Sequence, residues 1–230
     1  MHVEQYWSHS FIPELIRPDG VVFDIGVNGG GFSELVAGRC RRVIGFEPDP
    51  SWQGRWNLPA NVVVYPKALA GTAGKLSFHV NTGLCSSLHY AEAGASTVEV
   101  EAITLADALA LEPEGRIDLI KMDIEGEELP VLLTAPAGLF ERVAQMTIEF
   151  HDFLDPASLP RVREVISRMR ALGYHAFCFS WRSHGDLLFL HHRWVPMNFM
   201  QRWWLLLRYK YLRGFARMLR RALKRPPADG

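Results

Sequence analysis

Carboxylate and imidazole side chains follow two apolar runs that are typical of buried strands. Residues 121–128, KMDIEGEE, extend the run IDLI, and Glu149 and His151 end the run QMTIEFH. Burying an acid at the end of such a strand costs desolvation energy unless the acid binds a ligand or pairs with another group. Strand alternation puts Glu149 and His151 on the same side of the strand. Asp123, Glu149 and His151 are therefore candidate catalytic residues, suited to proton transfer or to holding a metal. Glu127 and Glu128 precede a predicted helix, whose N-terminus favours acids.

A glycine-rich turn lies between a strand and a helix at residues 24–33, DIGVNGGGFS. Glycines allow positive φ angles and close approach of a ligand, and the N–H groups of the helix N-terminus then face that ligand. The turn lacks the Gly-Lys-Ser/Thr ending of a phosphate loop. Asp24 would repel a pyrophosphate but suits a cationic sulfonium or an amino group.

Glu47 ends the next strand in the segment GFEPDP. An acid at this position can accept hydrogen bonds from both ribose hydroxyls of a nucleoside. Together with the glycine turn, Glu47 indicates a nucleoside-binding cleft.

Short apolar runs and helical patterns alternate along the chain, which predicts a parallel sheet with helices on both faces. The last two runs have no helix between them, so we expect an antiparallel strand at one edge. Residues 75–80 are predicted to form an edge strand or part of an insertion. The predicted strands are 21–25, 42–47, 61–66, 75–80, 97–103, 117–124, 145–150, 175–180 and 186–192.

From about Val21 to Phe179 the chain resembles the FkbM family of methyltransferases, through VFDIGVNGGGFS, FEPDP, IKMDIEGEE and IEFH. The resemblance implies a Rossmann-like fold with a mostly parallel seven-stranded sheet. It also implies S-adenosylmethionine as the methyl donor and O-methylation of sugars, polyketide-type alcohols or related hydroxyls.

By this resemblance, Asp24, Gly26 and Asn28 lie beside the methionine part of the cofactor, Glu47 holds the ribose and Ala68 lies near the adenine. Gly29 and Asp123 complete the expected cofactor-binding set. Val27 departs from the family, which usually has alanine there; we expect cofactor binding to remain intact.

Methylation of a hydroxyl requires removal of its proton, and three arrangements could achieve this. His151 is one candidate base, because an unperturbed histidine has a pKa of about 6.5. Asp123 is the rival base. Alternatively, Asp123, Glu149 and His151 hold a divalent cation such as Mg²⁺, which lowers the pKa of the hydroxyl. The spacing does not choose among them.

Two other functions remain as alternatives. A non-catalytic nucleoside-binding subunit could use the same cleft, but it would not need the acidic cluster at residues 121–128. An NAD-dependent oxidoreductase is disfavoured by the spacing of the glycines.

The composition is typical of a globular protein, and no run of about 18 uncharged apolar residues predicts a membrane span. Residues 1–11 lack the pattern of a secretory signal. Cys40, Cys85 and Cys178 are scattered, which favours reduced thiols and a cytoplasmic protein.

The formal net charge of zero is divided very unevenly along the chain. Residues 1–186 carry 15 Lys/Arg and 24 Asp/Glu, whereas residues 187–230 carry 10 Lys/Arg and one acid. We therefore predict a methyltransferase domain at 1–192 and a basic amphipathic helical extension at 193–230.

One face of this extension is expected to be apolar, with the members Trp203, Leu206, Leu207, Tyr211, Phe215, Met218 and Ala222. Such a helix suits an anionic membrane surface at the inner face of the membrane, where it would serve a lipid-linked acceptor, or docking on the body or a second subunit. Nucleic acid is a weaker alternative, since no RNA-binding module is evident.

Overall fold

The computed structural model describes residues 1–80, 95–181 and 183–212. The described strands are β1 (Glu4–Tyr6), β2 (His9–Phe11), β3 (Val21–Ile25), β4 (Arg42–Phe46), β5 (Val62–Tyr65), β6 (Ala68–Leu69), β7 (Gly74–Val80), β8 (Ser96–Ile103), β9 (Ile117–Met122), β10 (Gln145–Ile148), β11 (Tyr174–Cys178) and β12 (Leu187–His191). The described α-helices are α1 (Gly31–Ala37), α2 (Leu105–Leu109), α3 (Glu128–Thr134), α4 (Leu159–Ala171) and α5 (Phe199–Leu206).

Seven strands form the main sheet in the order β11-β12-β10-β9-β3-β4-β5. Alternate residues of β3 face opposite sides of this sheet. Val22 packs with α1 residues such as Phe32, whereas Phe23 packs with residues of α2, α3 and α4, so helices cover both faces. The predicted Rossmann-like fold is therefore confirmed.

The antiparallel strand does not lie at the edge where we expected it. β12 runs antiparallel to both β10 and β11 and lies between them, and β11 is the edge strand. The chain crosses through α4 to form β11 parallel to the other strands, one position beyond β10. The chain then reverses direction and forms β12 in the position between β10 and β11, where β12 pairs with a strand on each side.

A second, three-stranded sheet has the order β6-β8-β7. Its apolar face encloses a small separate core that includes Ala68, Phe78 and Val100, while Glu99 and Glu101 of β8 are exposed. Of the two alternatives for residues 75–80, the structure thus shows the insertion.

The extension begins with α5, which continues as a π-helical segment, Leu207–Leu212. Leu205 and Tyr209 are buried in a core shared with β11 and β12, so this part of the extension packs on the main sheet. No helix in the described part of the chain is both long and apolar enough to span a bilayer. Cys40 and Cys178 are free thiols; Cys85, Phe215, Met218 and Ala222 lie outside the described residues.

Candidate functional site

Parallel pairing brings the carboxyl ends of four neighbouring strands to one edge of the main sheet. Asp24 is in β3, and Glu47, Asp123 and Glu149 follow the last residues of β4, β9 and β10 within one position. These four acids were predicted from separate segments of the sequence. The order β10-β9-β3-β4 places them side by side.

The glycine turn after β3 is shaped by close backbone contacts. Gly26 has φ +84°, and a Cβ there would lie 1.8 Å from the carbonyl oxygen of Asp123. Asn28 also has positive φ, at +49°, and it is exposed together with Gly29. Only glycine fits at position 26, because the turn is packed directly on the end of β9.

Glu47 connects the glycine turn with the segment after β4. Its Oε2 accepts a hydrogen bond from the backbone N of Asn28 at 2.7 Å, and its Oε1 accepts one from the backbone N of Asp49 at 2.9 Å. Burial raises the pKa of Glu47 to about 7, although these two backbone hydrogen bonds oppose the shift. Each carboxylate oxygen still has a lone pair for a ligand hydroxyl.

Lys121 is buried beside two of the acids and was not assigned a role from the sequence. Its Nζ lies 3.5 Å from Asp24 Oδ1 and 3.8 Å from Asp123 Oδ2, and it donates to the carbonyl oxygen of Gly26 at 2.5 Å. Burial alone would lower the pKa of Lys121, but the negative charges of Asp24, Asp123 and Glu47 outweigh it and raise the pKa. This ammonium group joins the glycine turn to the acidic cluster. The available signal in the sequence was a lysine near the end of a largely apolar strand that is predicted to be buried.

Asp24 has one satisfied oxygen and one without a hydrogen bond. Ser33 Oγ donates to Asp24 Oδ2 at 2.7 Å, whereas Oδ1 is buried and has no hydrogen-bond partner among the described residues. The attraction of Lys121 therefore compensates the charge, but Oδ1 retains the capacity to accept a hydrogen bond from a ligand.

His151 is enclosed by three carboxylates of the KMDIEGEE segment. Its Nε2 lies 3.1 Å from Glu125 Oε2 and 3.7 Å from Asp123 Oδ1, and its Nδ1 lies 3.3 Å from Glu128 Oε1. Burial alone would lower the pKa of His151, but Glu128, Glu125 and Asp123 together outweigh it and raise the pKa to about 9. The imidazole is consequently a cation at neutral pH. It is poorly suited to be the base that its ordinary pKa suggested.

Glu128 also holds the turn that presents these acids. Its carboxylate accepts hydrogen bonds from the backbone N of Ile124 at 2.8 Å and of Gly126 at 3.0 Å. Between them, Glu125 has φ +52°, an unfavourable conformation for a residue with a Cβ. Glu128 thus stabilises a strained turn that directs Glu125 toward His151, beyond the helix N-terminal role considered from the sequence.

Glu149 and Asp123 differ sharply in proton affinity. Burial raises the pKa of Glu149 to about 7, and the negative charge of Asp123 adds to this effect. Burial would also raise the pKa of Asp123, but the charge of Lys121, assisted by His9 and His151, holds it well below its usual range. Of these two acids, Glu149 is therefore the one that exchanges a proton near neutral pH, and Asp123 remains ionised.

The β1–β2 hairpin contributes two side chains that the sequence analysis missed. Ser8 Oγ donates a short hydrogen bond to Glu149 Oε2, and His9 Nε2 lies 3.5 Å from Asp123 Oδ2. Tyr6 also approaches the start of α1 so closely that a Cβ on Gly31 would lie 2.1 Å from its hydroxyl oxygen. No local sequence pattern predicts these contacts, because Ser8 and His9 are more than a hundred residues away in the sequence from Glu149 and Asp123.

The structure does not bring the three predicted metal ligands, Asp123, Glu149 and His151, together in one group. Among the described residues, His9, Asp123 and Glu149 bring ligand atoms within 4.8 Å of one another, and so do Asp123, Glu125 and His151. Asp123 belongs to both groups, whereas Glu149 and His151 fall into different ones. The donor types suit a divalent cation, but Lys121 and the protonated His151 already supply positive charge at these carboxylates.

Two further residues named by the family resemblance are buried. Ala68 lies in β6, in the core of the small sheet, and its expected position near the adenine stays a prediction. Val27 is 4% exposed, and a Cβ on Gly45 would lie 2.6 Å from its Cγ2. Gly45 thus leaves the room that the larger side chain of Val27 occupies.

Comparisons with known proteins found a sequence relative and several similar solved structures. AMB antimetabolite synthetase AmbE of Pseudomonas aeruginosa is 26% identical, over 75% of this chain and 10% of the relative, so the chain spans about a tenth of that protein. Similar solved structures include the FkbM methyltransferase of Methylobacillus flagellatus KT, with 16% identity and a TM-score of 0.47, covering 76% of this chain and 44% of that one. Human methyltransferase-like protein 13 in complex with SAH has 13% identity and a TM-score of 0.45, covering 95% and 88%.

The family assignment comes from the match of a family model described as the Methyltransferase FkbM domain. It covers residues 24–176, from the glycine turn of β3 through the strands that carry the acidic cluster and into β11. This is more than half of the 230 residues. The chain belongs to the FkbM methyltransferase family.

Proposed function

We propose that the chain transfers a methyl group from S-adenosylmethionine to a hydroxyl of a sugar, a glycan or another hydroxylated metabolite. The observation that carries this proposal is Glu149, whose pKa is raised to about 7 at the same sheet edge as the glycine turn. A carboxylate with this pKa can accept a proton at neutral pH, as general base catalysis requires. Family membership supports the methyl donor.

The nucleoside end of the site consists of residues 24–30 and Glu47, and these residues fit the cofactor. Asp24 Oδ1 is a buried acceptor with no hydrogen-bond partner in the described ranges, and an amino group could donate to it. Asn28 and Gly29 are exposed at the turn, and Glu47 can accept from ribose hydroxyls. When bound, S-adenosylmethionine supplies a methyl group activated by a sulfonium leaving group.

The acceptor end of the site consists of Asp123, Glu125, Glu149 and His151, with Ser8 and His9. Glu149 Oε1 would receive the hydroxyl proton of the acceptor, since Oε2 is occupied by Ser8. Asp123 and the imidazolium of His151 stay charged and orient the acceptor. Alignment of the reacting groups supplies the rest of the rate enhancement.

The pH dependence of turnover separates this mechanism from the two alternatives. With Glu149 as base, the rate rises with pH through an inflection near pH 7, because the carboxylate must be ionised. With His151 as base, the inflection lies near pH 9. If a metal held by either group of ligands activates the hydroxyl, a chelator abolishes turnover and Mg²⁺ restores it.

The decisive experiment combines ligand binding with methyl transfer. Calorimetry should detect binding of S-adenosylmethionine and S-adenosylhomocysteine but not of NAD. Incubation of labelled S-adenosylmethionine with a panel of hydroxylated acceptors should give a product heavier by one methyl group by mass spectrometry. Tight NAD binding without a response to S-adenosylhomocysteine would disprove the proposal. Binding without transfer to any acceptor, or transfer only to nitrogen or carbon, would contradict O-methylation.

A further inference from the structure

The helix that begins the basic extension is apolar on two faces, and the part of the chain that the structure describes covers only one of them. Leu205 and Tyr209 pack on the main sheet and are each 4% exposed. Trp203, Leu207 and Tyr211, three members of the predicted apolar face, are exposed by 54%, 40% and 44%. These three residues of the predicted apolar face therefore point away from the body, whereas Leu206 packs against the core.

The exposed face is a continuous aromatic and aliphatic surface. Trp181 extends it, since its ring lies 5.6 Å from that of Tyr211 in an edge contact. Monomeric soluble proteins rarely expose such a surface unless it contacts something. Its exposed large side chains, which we call the outer face, are Trp181, Phe199, Met200, Trp203, Trp204, Leu207, Tyr211 and Leu212.

A positively charged crevice opens beside the outer face. It has a volume of about 500 Å³ and lies between α4, β11 and α5, with Arg170, His175 and Arg202 among its lining residues. Phe199 and Trp203 line the crevice and also belong to the outer face. Aromatic rings and arginines thus occur together at its entrance.

The charge of this crevice is not neutralised by the described part of the chain. Arg202 Nε is buried and has no hydrogen-bond partner there, and Nη1 of the same side chain faces His175 Nδ1 at 3.4 Å. Burial lowers the pKa of His175, and the charge of Arg202 lowers it further. No acidic residue occurs between positions 193 and 212. An anion is therefore the complementary partner.

We propose that the outer face and its crevice bind an anionic lipid bilayer. The aromatic side chains enter the interfacial region, where tryptophan and tyrosine are favoured. Arg170 and Arg202 bind an anionic headgroup in the crevice. Arg208 and Lys210 add electrostatic attraction to the bilayer, which salt weakens. This inference does not depend on the proposed methyltransferase activity.

Co-sedimentation of the full chain with vesicles tests the proposal. Vesicles of phosphatidylcholine with phosphatidylglycerol should pull down the protein, and vesicles of phosphatidylcholine alone should not. Binding should decrease as salt is raised. A double variant, Trp203→Ser with Trp204→Ser, should lose about tenfold or more in affinity, and circular dichroism checks that it is folded. Trp7→Ser, which removes an 83% exposed tryptophan elsewhere, is the matched control and should bind normally.

The crevice is tested by a second pair of variants. Arg170→Gln with Arg202→Gln should weaken binding to the anionic vesicles about tenfold. Arg161→Gln with Arg163→Gln changes two exposed arginines of α4 outside the crevice and should have little effect. Equal binding to both vesicle types, or equal losses in both arginine pairs, would overturn the proposal. The proposal would also be overturned if the protein did not bind vesicles and formed a dimer that the double tryptophan variant dissociated. A second copy of the chain would then cover the outer face.

Discussion

The nucleoside end of the site is made largely of backbone, whereas the acceptor end is made of charged side chains. At the nucleoside end, the decisive features are the φ angles of Gly26 and Asn28 and the N–H groups that bind Glu47. At the acceptor end, function depends on which carboxylates surround His151 and Glu149. A substitution at the first end therefore changes shape, and one at the second end changes proton affinity.

Lys121 belongs to both ends, and its loss should have the largest effect. Lys121→Met leaves Asp24 and Asp123 buried without their cation, which should lower the free energy of unfolding by about 3 to 5 kcal/mol. Urea denaturation measures this change. Lys75→Met removes an exposed lysine paired with Glu99 and should leave stability nearly unchanged. If the two variants were equally stable, the ammonium group of Lys121 would not be needed to compensate the buried charges of Asp24 and Asp123.

Glu149→Gln should separate the two ends most cleanly. The amide cannot accept the hydroxyl proton, so turnover should fall by roughly 10²-fold or more, while affinity for S-adenosylhomocysteine stays normal. The inflection near pH 7 should disappear from the remaining rate. His151→Gln is the informative partner variant: if it abolishes turnover while Glu149→Gln does not, the assignment of the base is wrong.

Ser8→Ala should produce the smallest of these effects. The hydrogen bond from Ser8 lowers the pKa of Glu149 against the raising effect of burial, so its loss should move the inflection of the rate to higher pH. The rate well above the inflection should remain normal, because the base itself is intact. Ser96→Ala, at an exposed position of β8, should change neither quantity. An unmoved inflection with a uniformly lower rate would show that Ser8 has only a structural role.

The difference between the two ends also explains what the sequence could predict. The glycine turn and Glu47 belong to short contiguous segments, so their geometry was evident from neighbouring residues. The same holds for most strand bounds, which follow local apolar runs. The position of β12 was missed because it depends on where β11 lies in the sheet, which no local pattern encodes. The raised pKa of His151 was missed because Glu128 and Glu125 approach it only through the turn after β9, in which Glu125 has positive φ.

The β1–β2 hairpin is held by hydrogen bonds to a residue that is synthesised much later than the hairpin itself. Gln5 and Ser10 both donate to the carboxylate of Asp186, at sequence separations of 181 and 176 residues. The hairpin leaves the ribosome long before Asp186, which directly precedes β12, the last strand of the main sheet to be made. Contacts of such long range form late because chain closure must precede them. The hydrogen bonds of the hairpin to Asp186 therefore form only after that residue has emerged, and we expect Ser8 and His9 to be held less firmly at the acceptor end in a nascent chain that stops earlier.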